Sequence, residues 1–266
     1  MIGRFKKQSN LWPVVSFDEE IEPHFLFIIT PPYSGSTALA EFLNTSNRTT
    51  FLQQRAEGQW LVPGMCADDR WEKNKVINYK SVKSIWLNKY QSIAKLEENI
   101  DVVIEKSPPN MMRIAELSSQ FRSFSFIANN RNPYANCASI LYRHYNADNI
   151  SSENRIEILS NLAINWLKRS NIIDNLIEKL HIPLITYESF CKKPSSVVSV
   201  LQTPMGVTDT INVDPIVSVK DYPPQKIINQ NDRQINKLSD IEIKHLSGIF
   251  SEYQNLLDRF KYSVDL

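Results

Sequence analysis

The stretch Phe25-Leu-Phe-Ile-Ile-Thr-Pro-Pro-Tyr-Ser-Gly-Ser-Thr37, running on into Ala38-Leu-Ala-Glu-Phe-Leu43, constrains this chain more than any other. An apolar run of strand length stops at two prolines, a turn of small residues follows around Gly35, and a helical pattern starts directly after it. A strand, turn and helix in that order leave the first N–H groups of the helix without intrahelical partners and aim the positive end of the helix dipole at the turn. Phosphate or sulfate suits such a place, and Ser34, Ser36 and Thr37 add hydroxyl donors. The stretch lacks the Gly-x-x-x-x-Gly-Lys-Ser/Thr pattern of a standard nucleotide P-loop. Taken alone, its residues also suit an ordinary strand-to-helix connection with a Ser/Thr cap, so the rest of the chain must decide.

Strand and helix patterns alternate after this unit. Asp101-Val-Val-Ile-Glu-Lys106 reads as a second strand closed by Pro108-Pro109, and residues 110–120 resume a helical pattern. Ser123-Phe-Ser-Phe-Ile-Ala128 is a third strand, leading through Asn129-Asn-Arg-Asn132 to Pro133, a good first residue for a helix reaching about Tyr145. Apolar residues at three-and-four spacing predict one long or bent amphipathic helix over 153–180. Pro183–Tyr187 is a fourth strand, a helix covers about 194–201, a loop-rich stretch runs over 204–236, and a final helix covers about 239–260. Residues 1–24 read as a lead-in with one apolar patch, Leu11–Val15. Residues 49–75 read as an irregular or partly helical excursion rather than a strand, and 84–98 as a polar-faced helix. This order predicts an α/β fold, a P-loop-like, mostly parallel sheet with helices on both faces and ligands at the carboxyl ends of the strands. A length of 266 residues fits one such domain, and that is the organisation expected for 1–266.

Thirty basic against 29 acidic residues leave a formal charge of +1, which supplies no general field for nucleic acid. Cys66, Cys137 and Cys191 are odd in number and widely spaced, as reduced thiols of a cytoplasmic protein are. No zinc-like cysteine pairing occurs, and His24, His144, His181 and His245 are scattered without ligand spacing, so no metal is expected. Neither a signal-peptide apolar region nor a stretch of transmembrane length is present, and a soluble, cytoplasmic chain is the expectation.

The three strand ends after Ile29, Ile104 and Ala128 carry the distinctive chemistry. The first offers the anion turn, the second Lys106 beside a rigid Pro-Pro, and the third Arg131 just before a helix on which Ser139 and Arg143 share a face. At these residues the chain resembles the sulfotransferases that use 3′-phosphoadenosine 5′-phosphosulfate (PAPS). Their 5′-phosphosulfate loop, roughly Pro-(Lys/Arg)-Ser-Gly-(Thr/Ser)-Thr, is matched by Pro32-Tyr33-Ser34-Gly35-Ser36-Thr37. Their 3′-phosphate motif, an apolar strand, Arg-(Asp/Asn)-Pro and a serine eight residues after the arginine, is matched by Arg131-Asn132-Pro133 and Ser139. Lys106-Ser107-Pro108 and Arg143 match the tyrosylprotein and other Golgi-type branches, and Tyr187-Glu188-Ser189-Phe190 matches a late strand end common in the family. The resemblance covers about residues 25–200.

It implies in-line transfer of a sulfuryl group from PAPS to an acceptor hydroxyl or amine, leaving adenosine 3′,5′-bisphosphate. In that reading Tyr33, Ser34, Gly35, Ser36 and Thr37 form the phosphosulfate loop, Arg131, Ser139 and Arg143 hold the 3′-phosphate, and Tyr187 borders the nucleotide. Lys106 steadies developing charge, and Glu57, in the excursion after the loop, takes the acceptor proton; His144 is the competing base, placed by helix spacing beside Arg143 rather than on the face of Ser139. Tyr33 stands where the family has Lys or Arg, which leaves the cation to Lys106 or leaves the site without strong turnover. Lys220 and Lys226, with Asn229 and Asn231, lie in a late loop of the kind that closes over the cofactor in relatives. Trp60, Trp71 and Trp86 suit either an acceptor pocket or core packing. Two other readings stay open: a P-loop small-molecule kinase, which wants a loop lysine and a metal-binding aspartate, and a nucleotide-binding protein without turnover. The acceptor class (sugar, lipid, peptide or small metabolite) is not encoded in any stretch that the residues identify.

Overall fold

The computed structural model describes residues 22–219 and 222–264. The Leu11–Val15 patch and Lys220 lie outside the described residues. The chain runs β1 (His24–Ile29), α1 (Ser36–Leu43), β2 (Thr49–Phe51), α2 (Tyr79–Ala94), β3 (Val102–Glu105), α3 (Ile114–Gln120), β4 (Phe124–Asn130), α4 (Pro133–His144), α5 (Ser152–Leu180), β5 (Leu184–Thr186), α6 (Tyr187–Lys192), α7 (Ser195–Val198), β6 (Ile216–Val217), β7 (Gln225–Lys226), α8 (Asn231–Ile235), α9 (Asp240–Ser251) and α10 (Gln254–Arg259).

β1 to β5 form one sheet in the order β2-β3-β1-β4-β5, and every pairing in it is parallel. β1 is central, with Phe27 in register with Glu105 on one side and Ile29 with Ala128 on the other. Its uninterrupted apolar run is what a strand covered on both faces requires. Phe25, Phe27 and Ile29 join Trp86 of α2, Leu141 of α4 and Trp166 of α5 in one core, while Leu26 and Ile28 join Leu39 and Phe42 of α1 and Phe190 of α6 in the other. Phe25 packs 4.4 Å from the Phe121 ring and 6.1 Å from that of Trp86, centroid to centroid. Full burial of each such side chain contributes roughly 1.5–3 kcal/mol, so the aromatic face anchors the strand whose end carries the site. The expected α/β architecture is therefore the observed one. β6 and β7 add a small antiparallel hairpin in the late segment.

Several local expectations need correction. Residues 49–75 open with a strand: Thr49–Phe51 pairs with Val102–Ile104, and three residues, two of them threonine, are too few to show a period. The helical pattern over 110–120 is two pieces, a tight turn over Pro108–Met112 and then α3, broken at Arg113 (φ −129°, ψ 24°). Arg113 is buried and donates to the carbonyls of Lys73 and Glu72, which fixes it outside helical geometry. The helix near 84–98 lies earlier, starting at Tyr79 with Asn78 as its cap. The fourth strand ends at Thr186, whose hydroxyl accepts from the Ser189 N–H and starts α6 at Tyr187. The helix expected over 194–201 is only Ser195–Val198, the loop-rich stretch 204–236 contains the hairpin and α8, and the final helix breaks into α9 and α10 around Tyr253 (φ −122°). No helix among the described residues is long and apolar enough to cross a membrane.

Candidate active site

The carboxyl ends of β1, β3 and β4 face one cavity of about 540 Å³. Its wall includes Tyr33, Gly35, Ser36 and Thr37 from the turn, Glu57 and Trp60 from the excursion, Lys106, Pro108 and Pro109 after β3, and Ser139, Arg143 and His144 from α4. The turn doubles back through two left-handed residues, Tyr33 (φ 63°) and Gly35 (φ 77°). Gly35 caps α1 without a side-chain bond, so the N–H groups of its first turn are left for a ligand or solvent. A Cβ on Gly35 would lie 2.1 Å from Tyr187 Cδ2, because the Tyr187 ring is pressed against the turn. Asn136 of α4 steadies the turn, donating to Pro32 O at 2.8 Å and Ser34 Oγ at 3.4 Å. Ser34 is thus fully buried against α4 rather than set in the cavity wall, unlike Ser36 and Thr37.

Lys106 reaches the turn from the next strand. Its side chain is only 3% exposed, and its ammonium donates to Glu57 Oε1 at 2.7 Å and Thr37 Oγ1 at 3.3 Å. It is a buried, engaged cation, not a solvated strand-end lysine. Glu57 also accepts from Gln59 Nε2 at 2.9 Å and Trp60 Nε1 at 3.0 Å, both on Oε2. Burial alone would raise the Glu57 carboxyl, but the Lys106 charge and the bonds from Lys106, Trp60 and Gln59 outweigh it and hold the group below its ordinary range.

On the other flank Arg131 is 6% exposed. Its Nε donates to Asn231 Oδ1 at 2.8 Å, and its Nη1 to Tyr33 O at 3.2 Å and Ser139 Oγ at 3.3 Å. Nη2 is buried and has no hydrogen-bond partner among the described residues. The guanidinium lies 4.4 Å from the centre of the Tyr187 ring, and burial lowers its pKa against the opposing pull of Tyr187 and Glu188. Glu188 accepts from the Asn132 N–H (2.9 Å) and from Asn231 Nδ2 (2.7 Å), tying the start of α4 to the late segment.

The turn residues, Lys106, Glu57, Ser139 and Arg143 are thus brought together, and Arg131 stands directly behind Ser139. Tyr187 is not in the main wall. It lies beneath Gly35, beside a second cavity of about 120 Å³ bordered by Gln225–Ile228, donates to Ile228 O at 3.0 Å and accepts from the Gln230 N–H at 3.1 Å. His144 corrects the helix-spacing argument: it borders the same cavity as Ser139 and Arg143, because it ends α4 and its Nε2 meets the Tyr33 hydroxyl. Tyr33 is accordingly bonded to α4, and burial raises its phenol pKa while Arg143 opposes the rise.

Among the tryptophans, Trp60 is 62% exposed at the cavity rim, Trp71 lines it under the Arg169 guanidinium, and Trp86 is core. Lys226 is exposed and paired with Asp214 at 3.0 Å, and Asn229 accepts from the Asn231 N–H. Sequence reasoning missed Glu105, Asn136 and the Glu188–Asn231 link. A carboxylate ending an apolar strand was a signal for the first, and nothing local marks the others.

No described protein family matches the chain, and no curated protein matches it by sequence. Among solved structures, the sulfotransferase STF9 from Mycobacterium avium superposes with a TM-score of 0.53 at 13% identity, over 91% of this chain and 78% of that one. The sulfotransferase domain from the curacin biosynthetic pathway gives a TM-score of 0.49 at 20% identity, over 91% of this chain and 99% of that one. That of the Synechococcus PCC 7002 olefin synthase gives 0.49 at 14%, over 88% and 96%. The likeness to STF9 is one of fold, and the chain has a sulfotransferase-type α/β architecture.

Proposed function

We propose that this protein is a PAPS-dependent sulfotransferase, with the pattern of the tyrosylprotein and other Golgi-type branches. One observation carries the reading: the buried Lys106 ammonium stands between Glu57 and Thr37 at the head of α1. An anion cradled by the turn therefore meets the Lys106 cation, with the Glu57 carboxylate beyond it as the base. A second supports it, since Arg131 Nη2 is a buried donor lacking a partner among the described residues, as a 3′-phosphate site needs.

In the proposed reaction the first N–H groups of α1, with Ser36 and Thr37, hold the phosphosulfate, and Arg131, Ser139 and Arg143 hold the 3′-phosphate. Glu57 accepts the proton of the acceptor hydroxyl or amine as the acceptor–sulfur bond forms and the bond from sulfur to the bridging phosphate oxygen breaks. Lys106 stabilises the charge left on that oxygen, so adenosine 3′,5′-bisphosphate departs as an anion. The late loop of 204–236 covers the nucleotide, its residues Ile228 and Gln230 held by Tyr187 and its Asn231 by Glu188, and the whole chain acts as one sulfotransferase-like domain. Three free cysteines suit a reducing cytoplasm.

The alternative of nucleotide binding without turnover draws on Tyr33, whose side chain brings no charge and is bonded to His144. Calorimetric titration with adenosine 3′,5′-bisphosphate and with ATP, followed by transfer of labelled sulfate from PAPS into an acceptor library, separates the readings. Tight binding of the bisphosphate without ATP binding and with transfer is expected. ATP binding would restore the kinase reading, and binding without transfer would favour the inactive binder. Bisphosphate binding untouched by both Arg131→Ala and Lys106→Ala would remove the site assignment.

A further inference from the structure

Glu105 ends β3 and is fully buried. Its Oε2 accepts from the Gly58 N–H at 2.7 Å, and its Oε1 from the Ser107 N–H at 2.8 Å and Asn110 Nδ2 at 3.1 Å. Gly58 directly follows Glu57, and Ser107 directly follows Lys106. One carboxylate thus bridges the two backbone segments that carry the ion pair of the cavity.

Other bonds lock the same junction. The Lys106 N–H donates to Ala56 O at 2.6 Å, the Gln59 N–H to Ser107 Oγ at 3.1 Å, and Trp86 Nε1 to Gly58 O at 3.0 Å. Within the excursion Arg55 (φ 62°) and Ala56 (φ 58°) are consecutive left-handed residues without being glycine. Each costs roughly 1–2 kcal/mol, so such a pair persists only where its surroundings hold it. Gly58 itself leaves no room: a Cβ there would sit 2.6 Å from Glu105 Oε2 and 2.9 Å from Trp86 Nε1. Burial pushes the Glu105 carboxyl up to about 7 although three donors reach it, and Glu57 and the Tyr79 phenol are the other titrating groups coupled to it. A carboxylate kept at that cost, with its bonds concentrated on these two segments, calls for an account beyond packing.

We propose that Glu105 is a positioning residue, which sets the separation of the Glu57 carboxylate and the Lys106 ammonium through the N–H groups of Gly58 and Ser107. Only its consequence for turnover rests on the sulfotransferase reading; the clamp itself does not. Carbon-13 NMR titration of the Glu57 carboxyl in the full chain tests the clamp directly, comparing wild type with Glu105→Gln and Gly58→Ala. Release of Gly58 lets Glu57 leave Lys106, so in both variants its titration moves up toward the ordinary carboxylate range. Sulfate transfer falls roughly 100-fold, as for a catalytic group displaced by about an ångström, with bisphosphate affinity unchanged. Should Glu105→Gln not fold, Asn110→Ala keeps the carboxylate and removes one of its donors, whereas Gly58→Ala presses on both the carboxylate and Trp86. A Glu57 titration identical to wild type in the folded variants overturns the proposal. A shifted titration in a protein whose wild type transfers no sulfate upholds the clamp and counts against the functional reading alone.

Discussion

On the β3 side of the cavity Lys106 already has a carboxylate partner at 2.7 Å, whereas on the β4 side Arg131 keeps one buried donor without any among the described residues. In the proposed reading the first wall exchanges a partner when an anion binds, whereas the second, through Arg131 behind Ser139, has a donor to be completed. Under the proposed function, completion of a prepared donor favours binding, and exchange of an ion pair ties charge movement to the end where sulfate would be transferred. The β4 wall should therefore govern nucleotide affinity and the β3 wall turnover.

The largest test of that division is Glu57→Gln, expected to lower sulfate transfer by about 10²–10⁴-fold, the range of a lost general base, with little change in bisphosphate affinity. Full activity in steady-state assays would remove Glu57 as the base and break the division at its stronger half. Arg131→Ala comes next: loss of a buried charged donor costs about 2–5 kcal/mol of binding, to be read by calorimetry as a weaker bisphosphate Kd. Equal affinity in the variant would place the 3′-phosphate elsewhere.

Two carboxyls of the β3 wall should also differ from each other in pH response. Glu105 titrates near 7 in the folded chain against an ordinary 4.5, so between those values the folded chain keeps a proton that the unfolded chain has lost, and stability falls as pH rises. Glu57 has the opposite sign, since its lowered pKa gives stability that is lost as pH falls through the folded value. Urea unfolding at about pH 5 and pH 8 should show wild type losing up to a few kcal/mol that Glu105→Gln retains. Parallel curves would mean that Glu105 is not the titrating group. The smallest effect expected is that of Tyr33→Lys. With Lys106 already supplying the cation, transfer should change by less than about tenfold, and a gain of 100-fold or more, the size of one missing donor, would show that the β3 wall lacks charge.

Much of this was legible from local pattern. β1, the turn, β3, β4 and the Pro133 helix start each announce themselves within a dozen residues, because an apolar run, paired prolines or an Asn-Pro cap acts over that distance. β2 was not legible, since its partner Val102–Ile104 lies some 50 residues on and its own three residues hold no period. Tyr187 read as a strand end because the Thr186 hydroxyl that begins α6 is indistinguishable in sequence from any strand threonine. At the site, residue types at the strand ends pointed to Lys106, Arg131 and Ser139. Glu105 was passed over because its role depends on Gly58, 47 positions away, and His144 because a rule of helix faces stops applying at the last turn.

The contact between Gly35 and the Tyr187 ring bears on how this chain can be inherited. With an aromatic at 187, no side chain fits at 35, and the φ of 77° discourages one even without the ring. The converse is less strict: a smaller residue at 187 would clash with nothing at 35, yet it would leave a void beneath the turn and release Ile228 and Gln230 from the hydroxyl that holds them. Position 35 is therefore closed to drift, while position 187 changes only together with the late segment that leans on it.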